Sequence, residues 1–148
     1  MTTSTPVPHV LAVPADEHLR LMSSPQRVDR TLELLDADEY PTLRLGTDLT
    51  WVGLQAGLNN TPAAPALSGG EMWRHHPPVH ALADMQVTML ADALADTDPA
   101  TVEETGGLVL EESFGEVSDG DIAAAVTRLT EFFRAAADRG DAVIIAFV

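Results

Sequence analysis

Three groups of side chains in this 148-residue chain have types and spacings that suit chemistry. Asp48, Trp51 and Gln55 fall at i, i+3 and i+7, on one face of a helix. An aromatic wall, an acid and an amide placed so can line a pocket and orient a small polar ligand. Gly69 and Gly70, between Ser68 and Glu71, have the look of a loop that cradles phosphate and complete the candidate ligand site. The third group is His75, His76 and His80. His76 and His80 are at i, i+4, the spacing of two zinc ligands on a helix, with Glu71 or Asp84 as a third.

Each group has a plainer reading. Asp48 suits the positive end of a helix dipole, Trp51 a core anchor and Gln55 a satisfied amide, since aromatic residues at helical spacing usually face the core. The Gly69-Gly70 loop lacks the lysine of a phosphate loop. Pro77-Pro78 stands between His76 and His80, which spoils helical geometry there, so the histidines read better as an exposed loop and no metal is assigned. No Gly-x-Ser-x-Gly elbow is present. Asp119-Gly120-Asp121 would need a glutamate at the twelfth position of a calcium loop, where Thr130 stands. The acid pairs Glu103-Glu104 and Glu111-Glu112 read as solvated surface. No catalytic residue and no cofactor are assigned.

Charge says more. Twenty-three acidic side chains face eight arginines and no lysine, a formal net charge of −15. Such a surface repels phosphate backbones and anionic lipid, which argues against nucleic-acid and membrane binding, and it attracts basic proteins. There is no cysteine, so disulfides and thiolate metal sites are excluded. The N-terminus has no basic region followed by an apolar core, and no apolar run approaches the ~20 residues of a membrane helix. A cytoplasmic location is expected.

The elements that must position these residues follow from periodicity. Residues 1–8 read as a flexible end and 9–148 as one domain. His9–Val13 is a strand. Pro14 opens a helix that turns Leu19 and Met22 inward, and Ser24-Pro25 a second with Val28, Leu32 and Leu35 inside. After a turn at 38–41 and an extended piece at 42–45, Thr47 caps a third helix with Trp51, Leu54 and Leu58 buried. Gly53 and Gly57 inside it suggest that another backbone passes close by. Residues 59–78 read as a loop, 79–95 as a fourth helix burying Leu82, Met85, Met89, Leu90 and Leu94, and Asp98-Pro99 as the start of a short fifth helix stopped by Gly106-Gly107. Leu108–Leu110 has strand character. A long helix with Ile122, Ala125, Val126, Leu129, Phe133, Ala136 and Ala137 on one face follows, capped by Ser118 and Asp121 and stopped by Gly140. The charge-free 142–148 stretch must then be a strand covered on both faces, at the centre of the sheet and beside the first strand.

Several of these segments carry a resemblance. Asp48-Leu49-Thr50-Trp51-Val52-Gly53-Leu54-Gln55, Leu67-Ser68-Gly69-Gly70, and Leu129–Phe133 through Gly140-Asp141-Ala142-Val143 resemble, in order and spacing, the bacterial YfbM-like family, a domain of unknown function. The stretch from Val10-Leu11 to Leu35 also fits; residues 99–118 fit least well. The resemblance implies an α+β fold with a small sheet and several helices, in small cytoplasmic proteins of unassigned activity; with the elements read above, the expected fold is α+β, a small sheet including the N- and C-terminal strands packed against about five helices. The family's segment tends to carry lysine where this chain has Leu49 and histidine where it has Gln55. A base there would be lost in this chain, whereas hydrogen bonding through the Gln55 amide would survive. The function expected is a non-catalytic binding or interaction module whose acidic surface takes a basic protein partner. The alternative is a small-ligand protein or enzyme with a cleft at Asp48, Trp51 and Gln55.

Overall fold

The stretch Ala142–Phe147 is buried at every position, and the remainder of the chain is arranged to keep it so. A computed structural model describes residues 6–45 and 48–148. The elements run β1 (Pro8–Val13), α1 (Ala15–Met22), α2 (Arg27–Ala37), β2 (Thr42–Arg44), α3 (Asp48–Leu58), α4 (Pro65–Ser68), β3 (Glu71–His75), β4 (Pro78–Leu82), α5 (Asp84–Ala95), α6 (Pro99–Phe114), α7 (Asp121–Arg139) and β5 (Ala142–Phe147). The strands form one sheet in the order β2-β1-β5-β4-β3, and each neighbouring pair is antiparallel. The α+β expectation holds, with the terminal strands paired, Val10 opposite Ile145, and β5 in the middle.

Strand alternation divides the core in two. Val10, Ala12, Leu82, Val143, Ile145 and Phe147 face α3, α5, α6 and α7, meeting Leu54, Leu58, Leu90, Leu110, Ile122, Leu129 and Phe133. Leu11, Val13, Val79, Ala81, Ala142, Ile144 and Ala146 face the other way, under Leu21 of α1 and Leu34 and Leu35 of α2. A strand between two helical layers has no solvated face, which is why β5 and β1 carry no charge.

The helices on the first face pack closely because of glycine. A Cβ at Gly106 of α6 would stand 2.2 Å from the carbonyl oxygen of Gly53 in α3, and one at Gly57 would stand 2.5 Å from the carbonyl oxygen of Val102. The close backbone approach expected at Gly53 and Gly57 is therefore made by α6. The same contact explains why Gly106-Gly107 does not stop that helix, which runs on through Leu108–Leu110 to a left-handed Gly115 (φ 68°). The expected short helix and strand are one helix of 16 residues.

Other expectations need correction. On α1 the buried residues are Glu17, His18 and Leu21, while Leu19 and Met22 are exposed. The helix turns a polar face inward because Glu17 finds partners there: Arg20 Nε donates to its carboxylate at 2.8 Å. On α2 the buried face is shifted to Thr31, Leu34 and Leu35, with Val28 and Leu32 at its margin. The 59–78 stretch is no irregular loop. Its prolines and glycines punctuate short elements: Pro65 opens α4, Gly70 takes φ 92° just before β3, and Pro77, after a cis peptide bond, turns the chain into β4. What reads as one helix over 79–95 is β4 followed by α5, separated where the Gln86 side chain accepts from the Ala83 N–H at 2.9 Å. Met85 and Met89 lie on its solvent face, 76% and 71% exposed, while Val87, Leu90, Ala91 and Leu94 are buried. Helix α7 begins after a left-handed Gly120, and Ser118 donates to Glu103 Oε2 at 2.6 Å instead of capping it. Gly140 ends α7 in the left-handed conformation, as expected. The Thr47 cap lies outside the described residues.

Candidate functional site

Helix α3 presents Trp51 half-buried at the rim of the core, its ring 5.1 Å from that of Phe147 and edge-on at 76°. The indole N–H is buried and has no acceptor among the described residues. One turn on, Gln55 donates from Nε2 to Asn59 Oδ1 at 2.7 Å, so this amide is engaged at the end of its own helix. Asp48 opens α3, and its side chain lies outside the described residues.

Gly69 is hemmed in by α4, where a Cβ would stand 2.5 Å from Pro65 Cβ, and Gly70 by β4. The Gly69 carbonyl accepts from His80 Nδ1, and a Cβ at Gly70 would meet the Ala81 carbonyl oxygen at 2.1 Å. Their backbone is thus closed against a strand rather than opened toward an anion. His75 and His76 are exposed at the β3–β4 turn, as the loop reading expects. His80 is not their helical neighbour: it sits in β4, 2% exposed. Among the described residues no three His, Asp or Glu side chains stand close enough to share a metal.

A polar cluster that periodicity does not reveal lies on the opposite face. Trp73 stacks on His18 with ring centroids 6.2 Å apart, and the Arg27 guanidinium lies 5.5 Å from the indole centroid. Burial lowers the His18 pKa, against the opposing pull of Glu71 and Asp84. Buried Glu17 accepts from Arg20 and lies 3.8 Å from Arg30. These contacts fasten the edge strand β3 to α1 and α2 through stacking and cation–π attraction. A structural role accounts for all of them.

A concavity runs beside α5. One hollow of about 240 Å³ is lined by Pro62, Pro65, Leu82, Gln86, Met89, Leu90 and Ala93. A second, about 340 Å³, continues from it past the shared Pro62 and Ala93 to Asp96, Asp98 and Thr101. The first is apolar except for Gln86, and the second is polar and acidic at its far end. Sequence reading misses this groove because it places Met89 in the core. The available signal is that Val87, Ala91 and Leu94 make a complete inner stripe without it.

This geometry is that of a known fold. Neither the protein-family models nor the curated proteins give a match to this chain. Among solved structures it is similar to the crystal structure of YfbM from Escherichia coli, a protein of unknown function, with a TM-score of 0.69. The match covers 96% of this chain and 99% of that one at 16% sequence identity. At that identity the likeness establishes the shared fold, the one implied by the segments around Trp51, Gly69-Gly70 and Gly140.

Proposed function

We propose that this protein is a non-catalytic cytoplasmic binding module that takes a basic protein partner on its acidic surface. The observation that supports this reading is how the arginines are spent. Arg20, Arg30, Arg134 and Arg139 are in ion pairs with Asp16, Glu17, Glu33, Asp92 and Asp141. Arg27 lies against Trp73, while Arg74 and Arg128 donate to the backbone carbonyls of Pro77 and Arg44. Seven of the eight arginines are held in contacts of the fold, and the acid excess faces solvent at residues such as Glu111, Glu112, Glu116 and Asp119. A surface of one sign raises the encounter rate with the opposite sign and rejects its own.

Immobilised protein should retain basic proteins from an extract at about 50 mM salt and release most of them by about 300 mM, as screening shortens the reach of its charge. Retention of no basic protein, or retention indifferent to salt, would remove the reading. No helix among the described residues is long and apolar enough to cross a membrane. The alternative, a small polar ligand at Asp48, Trp51 and Gln55, is favoured by one observation, that the buried Trp51 indole N–H has no acceptor among the described residues. A saturable thermal shift with a metabolite, lost in Gln55→Ala, would carry it.

A further inference from the structure

The groove beside α5 has a polarity that specifies its occupant. At one end Pro62, Pro65, Leu82, Met89 and Leu90 make an apolar lining, and the flexible thioether of Met89 can adapt to a range of inserted side chains. At the other end stand the carboxylates of Asp96 and Asp98. Asp98 is occupied in part, accepting from the Ala100 N–H and the Thr101 hydroxyl at 3.1 Å each. Asp96 is exposed and has no ion pair or side-chain hydrogen bond among the described residues. Neither hollow is enclosed, and a groove open to solvent suits the side chains of a polymer better than a buried small molecule. An anionic occupant would be repelled by the carboxylates and by the net charge of −15.

We propose that this groove docks a short basic segment of a partner protein, with an apolar side chain against Met89 and an arginine or lysine at Asp96 and Asp98. The proposal rests on the acidic-surface reading above and adds to it a place and a sequence pattern. From Met89 to Asp96 α5 advances seven residues, about 10 Å at 1.5 Å per residue. An extended peptide covers that span in about three residues. The recognised segment is therefore an apolar residue with a basic residue about three positions away.

The test is selection of a random phage-displayed peptide library on the intact protein at about 50 mM salt. Enriched peptides are then titrated into protein carrying methyl-labelled methionine. The expected result is enrichment of peptides pairing an apolar residue with Arg or Lys at that spacing. They should shift the Met89 methyl signal, leave those of Met22 and Met72 in place, and bind Asp96→Arg about three- to tenfold more weakly, the scale of losing and reversing one exposed pair. Basic peptides that bind in a salt-dependent way, yet leave Met89 unmoved and ignore Asp96→Arg, would overturn the groove and leave the acidic-surface reading standing. Enrichment of peptides without basic residues, or of none, would overturn both. The methionine signals are read on folded native protein, so a variant that failed to fold would not rescue the idea.

Discussion

His80 is the most buried of the five histidines, and its Nδ1–H donates to the Gly69 carbonyl that closes α4 against β4. Burial lowers its pKa from the usual 6.5 and outweighs the opposing pull of the Gly69 and Leu67 carbonyls. The unfolded chain therefore binds a proton more readily than the folded one, and the stability linked to this group is complete above pH 6.5 and is lost as pH falls through the lowered folded value. His9 and His18 are shifted the same way, chiefly by burial, and add to the same sign. A window from about pH 7.5 to about 5.5 spans the ordinary histidine value of 6.5. The thermal midpoint is expected to fall across it. His80→Asn keeps a side-chain N–H near the Nδ1 position but does not titrate, so its midpoint should fall less. An unchanged slope in that variant would show that His80 is not held neutral.

At the scale of elements, the contact of α3 with α6 separates two adjacent glycines of one helix. Gly106→Ala places a methyl 2.2 Å from the Gly53 carbonyl oxygen and 2.8 Å from its carbon, atoms that cannot swing aside. Forcing the helices apart should cost about 1–3 kcal/mol net of the roughly 1 kcal/mol gained in helix propensity. At Gly107 the nearest atom is Ser118 Cβ at 3.9 Å, so Gly107→Ala should keep the propensity gain and stabilise by about 0.5–1 kcal/mol. Urea unfolding of the two variants should give opposite signs; equal signs would mean that the helices are not in backbone contact. The pair also shows where the sequence is legible. Gly53 and Gly57 sit inside a clear apolar period and signal a neighbour, whereas Gly106-Gly107 sits in a weak one and imitates a helix end. Strand β5 is readable because uniform apolarity after a left-handed glycine admits few alternatives. Strand β4 is not, because burial on both faces erases its alternation and its apolar residues run straight into those of α5. Trp51 could be placed on the right face of α3, but whether that face holds a ligand or Phe147 depends on which strand lies beneath it. The groove is wholly tertiary: Pro62 and Pro65 meet Ala93 and Met89 only after β3 and β4 have folded back between them.

For the whole molecule, the quantity that governs behaviour is the imbalance of charge. Folding gathers 23 carboxylates into a compact volume with eight arginines to offset them, so self-repulsion opposes the folded state. Of the ion pairs that oppose it, Arg20–Asp16, Arg30–Glu33 and Arg134–Asp92 have both side chains at the surface, 44% and 70% exposed in the last. Exposed pairs of this kind contribute about 0–1 kcal/mol each and are themselves screened. Raising sodium chloride from about 10 mM to about 100 mM shortens the screening length from about 30 Å to about 10 Å, which removes long-range repulsion before it removes contacts at 3–4 Å. The thermal midpoint of the free protein should accordingly rise with salt over this range, and a fall would mean that the ion pairs outweigh the acid excess. On the proposed function, affinity for a basic segment moves the other way, since the field that strains the free protein would also draw such a partner in. Opposite salt dependences for stability and for binding, measured on one preparation, are thus a single consequence of one charge distribution, and a partner whose affinity rose along with the midpoint would have to be held by something other than that charge.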